Sequence, residues 1–117
     1  MVEYYGGFPD YYHCVAHIWR KGADVLNRDF LVKAPHGSLS DRFNSYGVLI
    51  RPDKTTFYLN RRQVAQMDTP PEYRQPFYIL ANLAIGAGFP TKDLESPKVM
   101  QIAYIRAYGP APPTVDH

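Results

Sequence analysis

The 117-residue chain has one cysteine, Cys14, one tryptophan, Trp19, and little net charge: 13 Lys and Arg stand against 11 Asp and Glu, a formal +2. A single thiol cannot close an internal disulfide and is no metal framework. Cys14 is expected to be a small core residue. So small and evenly spread a charge gives no footing for a nucleic-acid partner or a membrane surface. No apolar run approaches the roughly 20 residues of a transmembrane helix. No basic segment followed by an apolar one opens the chain, so no signal peptide is visible. No long helical period is found either.

Rings and chain breakers are plentiful. Ten Tyr and six Phe accompany the Trp, with eleven Pro and eight Gly, and 45% of residues are hydrophobic. The length suits one small domain. Short alternating segments punctuated by Pro and Gly indicate an all-β chain, an antiparallel β-sandwich.

The stretch Met1-Val2-Glu3-Tyr4-Tyr5-Gly6 sets an acidic residue among apolar and aromatic neighbours, before a Gly6-Gly7 and Pro9-Asp10 turn. Apolar surroundings raise a carboxylate pKa, as the general acid of a glycosidase requires. A solvated Glu on a frayed terminus fits the same residues. Tyr11 to Trp19 is predicted to be a strand with two unlike faces. Cys14, Ala16 and Ile18 make a packed face. His13, Val15, His17 and Trp19 make a face of rings and hydrogen-bonding groups, suited to a sugar or to plain solvent.

Arg20 to Asp29 is predicted to be a loop, Asp29 to Lys33 a short strand and Ala34 to Asp41 a second loop. Phe43 to Arg51, Thr55 to Leu59 and Arg62 to Met67 then form a three-stranded meander. Its turns are Arg51-Pro52-Asp53-Lys54 and Asn60-Arg61, where Arg61 carries a steric cost at positive φ that Gly avoids. Pro70-Pro71-Glu72 ends it. Gln75 to Ala84 is expected to be a buried strand, and Asn82, a polar amide within its apolar run, must find partners. Pro97 to Tyr108 is expected to be the last strand, and Gly109 to His117 a poorly ordered Pro-rich tail.

Met1 to Gly6 resembles the second half of the E-x-D-x-x-E signature of glycoside hydrolase family 16, the laminarinases and related endo-β-glucanases. Glu3 matches the last Glu, the general acid/base. The nucleophile Glu and the helper Asp would precede Met1 and are absent from these 117 residues. Tyr46-Gly47-Val48, Pro52-Asp53-Lys54, Phe57-Tyr58, Val64 and Thr69-Pro70-Pro71 follow the same family in order and spacing. Leu49-Ile50 and Asn60-Arg61 depart from its usual acidic-Trp and Asp-Gly pairs.

The resemblance implies a concanavalin A-like jelly roll, here a partial domain over residues 1–108 lacking its N-terminal side, with 109–117 as a tail. Such a chain is expected to be marginal alone, aggregation-prone, or dependent on a missing segment of its own domain. The resemblance also implies retaining hydrolysis of β-1,3 or β-1,3-1,4 glucan-like polysaccharide by the parent protein, exported to the periplasm or medium. Glu3 would be the acid/base, and His17, Trp19, Asn82 and Phe89 substrate-binding residues. Phe89 stands where many members have Trp. No cofactor is expected. Ala103 replaces an Asp that binds structural calcium in many members, so no metal is expected there. A non-catalytic glycan binder, an inactive remnant and a transglycosylase would use the same residues.

Overall fold

Antiparallel pairing accounts for every strand of the computed structural model, which describes residues 1–21, 23–86, 88, 90, 91 and 97–109, with residues 20 and 23–26 through their backbone alone. The chain divides into two units, Met1–Tyr78 and Ile79–His117. In the first, β1 (Val2–Glu3), β2 (Tyr11–Arg20) and β3 (Ala23–Lys33) form one sheet. β4 (Tyr46–Ile50), β5 (Lys54–Leu59) and β6 (Arg62–Asp68) form the other, followed by a single 3-10 turn at Pro71–Arg74.

The two sheets bury one face each against the other, as in a β-sandwich. The even-numbered residues of β2 supply one layer: Tyr12, Cys14, Ala16 and Ile18 are all buried. Phe57 and Met67 supply the facing layer, with Val48, Ile50, Leu59 and Ala65 packed against it. The Phe30 and Phe57 rings meet across the interface at 6.2 Å, and Tyr12 meets Tyr46 edge-on at 5.3 Å. The period-2 alternation read along β2 thus separates a dry face from an outward one. Buried threonines are satisfied within the second sheet: Thr55 Oγ1 pairs with Thr69 Oγ1 at 2.9 Å, and Gln66 Nε2 donates to Thr56 Oγ1 at 2.9 Å.

The meander forms as expected. Leu59 pairs with Arg62 around Asn60-Arg61, whose φ values of 50° and 68° are what a two-residue hairpin of the I′ kind demands. Asn60 tolerates this and is tied down, its Oδ1 accepting the Ser45 N–H at 2.9 Å and its Nδ2 donating to Asn44 Oδ1 at 2.9 Å.

Three expectations are corrected. β3 begins at Ala23 rather than Asp29, so most of the supposed loop is strand. Its polar residues Asn27, Arg28 and Asp29 are exposed, which is why their composition reads as loop although their backbone is paired. Residues 75–84 and 97–108 contain no strand. Their side chains are exposed, among them Tyr78, Leu80, Val99 and Tyr108. Alternation and β-branched composition show that a segment suits a half-buried pleat, but a strand also needs a neighbouring ladder, and no described residue supplies one here. Among the described residues, no helix is long and apolar enough to cross a membrane.

Candidate functional site

Glu3 owes its position to a short pairing. Val2 pairs with Cys14 and Glu3 with His13, and the Val15 N–H donates to the Met1 carbonyl at 3.0 Å. Directly opposed residues share a face, so Glu3 joins His13 and His17 on the outward face of β2. The connection from β1 to β2 is pinned from the far side of the sheet. The Ala34 N–H donates to the Asp10 carbonyl at 2.8 Å, and His36 Nδ1 donates to Asp10 Oδ1 at 2.7 Å.

Both carboxylate oxygens of Glu3 are engaged. His17 Nε2 lies 2.9 Å from Oε1, and Tyr5 Oη donates to Oε2 at 2.8 Å. An ionised carboxylate can only accept, so His17 presents its Nε2 proton. The hydrogen bond from His17 is the largest influence on Glu3. Together with the bond from Tyr5 it outweighs partial burial and holds the carboxyl below the usual Glu value of 4.5. The same contact pushes the Tyr5 phenol upward. The expectation of a raised Glu3 pKa is therefore reversed. The residues adjacent in sequence are apolar and aromatic, but the deciding donor comes from β2, fourteen positions away.

The row extends in both directions. His17 stacks on Trp19, with centroids 6.0 Å apart and planes at 28°. Trp19 is 78% exposed. The register skips at Trp19, since Ile18 pairs with Leu26 and Arg20 with Ala23, so two residues of β3 face one of β2. Such an irregularity re-aims a side chain. On the other flank the Tyr5 ring meets His13 edge-on at 5.5 Å. His13 Nδ1 reaches both Asp29 oxygens, at 2.8 and 2.9 Å. The outward face thus carries, in order, Trp19, His17, Glu3, Tyr5, His13 and Asp29. A ring platform, donors and two carboxylates line one surface.

Of the residues expected at a site, Glu3, His17 and Trp19 come together. Asn82 is exposed in the second unit, outside any strand, and not the buried strand amide that was expected. Phe89 lies outside the described residues. Sequence reasoning passed over Tyr5 and Asp29. Tyr5 sits two residues from Glu3, the strand interval that returns a side chain to the same face. Asp29 would have been visible had β2 been folded back on β3 as a hairpin, which sets it against Val15. Among the described residues, no three His, Cys, Asp or Glu side chains converge in a way that could hold a metal ion.

Two curated proteins of Rhizobium meliloti (strain 1021) are similar to this chain. Endo-1,3-1,4-beta-glycanase EglC is 31% identical over 111 residues, which are 93% of this chain and 23% of that protein. Endo-1,3-1,4-beta-glycanase ExsH is 40% identical over 69 residues, 57% of this chain and 15% of that protein. The chain therefore spans less than a quarter of either relative. No protein-family model and no solved structure matches it.

Proposed function

We propose that the outward face of the β1–β2–β3 sheet is the glycan-contacting surface of an endo-β-glycanase of the family 16 type. Its substrate would be a β-1,3 or β-1,3-1,4 glucan-like polysaccharide. The observation that carries this reading is the Glu3 carboxylate gripped by His17 and Tyr5 beside an exposed Trp19. The likeness to two endo-1,3-1,4-β-glycanases supports it. Trp19 would stack on the apolar face of a pyranose. Asn82 and Phe89 remain assigned to substrate by resemblance alone.

In the parent protein Glu3 would be the acid/base of a retaining reaction. It would give its proton to the leaving glycosidic oxygen as a second carboxylate attacks the anomeric carbon, then take one from water as the glycosyl ester is hydrolysed. Retention needs the two carboxyls about 5–5.5 Å apart. The matching nucleophile would lie outside these 117 residues. The Nε2–H of His17, against Oε1, is the group through which Glu3 would exchange a proton with solvent.

One observation favours binding without turnover for the 117 residues themselves. The hydrogen bonds from His17 and Tyr5 favour the ionised form of Glu3 and lower its carboxyl pKa, whereas a general acid must start protonated. The test pairs two assays on mixed-linkage β-1,3-1,4-glucan. Retardation of the chain in glycan-containing native gels is expected, with no release of reducing ends. Migration unaffected by glycan would overturn the surface assignment. Release of reducing ends abolished by Glu3→Gln would overturn the view that the nucleophile lies elsewhere.

A further inference from the structure

We infer that His13 and Asp29 form a second carbohydrate-contacting element on this face, a hydroxyl-binding subsite for a sugar next to the one at Glu3. The inference rests on the glycan reading above and adds to it the residues that hold a neighbouring sugar.

Asp29 pairs in register with Val15 and His13 with Leu31, so the His13–Asp29 contact runs diagonally across β2 and β3 on the face that carries Glu3. From strand spacing and rise, the Glu3 and Asp29 Cα atoms are on the order of 12 Å apart. That suits adjoining subsites along an extended glycan, not the paired carboxyls of a retaining centre. The element is held from two sides. Asp29 accepts the Nδ1 proton of His13 at 2.8 and 2.9 Å, and the Tyr5 ring edge meets the imidazole at 5.5 Å. With Nδ1 protonated and engaged, Nε2 of a neutral His13 is left as an acceptor. Asp29 is about half exposed, 46%, and His13 27%, so carboxylate lone pairs remain open to solvent. A carboxylate with two adjacent accepting oxygens beside an acceptor nitrogen suits a vicinal diol, whose two O–H groups donate in parallel.

A cross-strand ion pair that only steadies the hairpin predicts something different, and the experiment separates the two. The 117-residue chain, Asp29→Ala, His13→Ala and the double variant would be titrated with a mixed-linkage β-1,3-1,4-gluco-oligosaccharide. The His13 ring Cε1–H resonance would be followed by NMR, and a thermal melt recorded for each. The inference expects this resonance to move on titration of the unmodified chain. It expects either single change to weaken binding about tenfold, the size of one charge-assisted hydrogen bond, and the double change to weaken it little more. Asp29→Asn, which keeps one accepting oxygen, should lose less. If the unmodified chain binds but the His13 resonance stays put and the variants bind as well as it does, losing only melting temperature, the subsite falls and the glycan reading stands. If the unmodified chain does not bind the oligosaccharide, the glycan reading falls and takes the subsite with it.

Discussion

Truncating Phe57 to Ala should remove a large part of the protein's stability. Phe57 is 1% exposed. It sits mid-strand between Val48 of β4 and Ala65 of β6 and faces the Phe30 ring at 6.2 Å. Removing a buried phenyl forfeits its transfer free energy and leaves a cavity, about 3–5 kcal/mol in all. The unit that contains it, Met1–Tyr78, has a total stability on the order of 4–12 kcal/mol at the usual per-residue value. For a domain of this size each kcal/mol moves the midpoint by roughly 4–8 °C, so a loss of about 3 kcal/mol lowers Tm by roughly 12–24 °C. The assay is a far-UV circular dichroism melt beside Phe43→Ala, which removes the same ring from a site 66% exposed. A change at such a position should stay within about 0.5 kcal/mol. Equal shifts for the two variants, or a Phe57→Ala loss below about 1 kcal/mol, would refute the packing of one sheet on the other through this residue.

Other outcomes follow from single residues. Arg61→Gly should stabilise the β5–β6 hairpin by about 1 kcal/mol, because Arg61 bears the left-handed strain at φ 68° that Gly escapes; the urea midpoint reads it. Among the described residues, the buried Tyr12 hydroxyl finds no partner beyond the weakly bonding Cys14 thiol. Tyr12→Phe should therefore gain about 1 kcal/mol, and a loss of that size in the same titration would mean the hydroxyl is satisfied. Glu3 titrates below 4.5 because His17 donates to it. A lowered carboxyl contributes stability that is present above its unfolded pKa and lost as pH falls through the folded one. His17→Ala should thus raise the Glu3 carboxyl pKa in a 13C NMR titration and flatten the decline of Tm below pH 4.5. Trp19→Ala should weaken glycan binding and leave Tm within about 4 °C, since the ring is mostly in solvent.

Local pattern carried the legible part of this fold. The two faces of β2 follow from alternation, the meander from its β-branched runs and turns, and the Asn60-Arg61 hairpin from the tolerance of Asn for positive φ. What escaped was set at a distance. β3 is polar where it faces solvent, so Asn27 and Asp29 read as loop until they are paired with His17 and Val15. Residues 75–84 and 97–108 have strand composition and no ladder. At the site, Glu3, His17 and Trp19 could be placed from periodicity and resemblance. The direction of the Glu3 pKa could not, because it depends on a partner across the β1–β2 pairing and not on flanking residues.

The central claim is that the outward face of the β1–β2–β3 sheet meets a glycan. The most direct measurement is a 15N NMR titration of the chain with a mixed-linkage β-1,3-1,4-gluco-oligosaccharide, read at the Trp19 indole and at the amides of Glu3, His13 and His17. The account predicts saturable shifts at these four residues. It predicts none at Gly47, Leu49 and Tyr58, which line the open depression on the other sheet. Shifts confined to that depression, or no shifts at all, would contradict it.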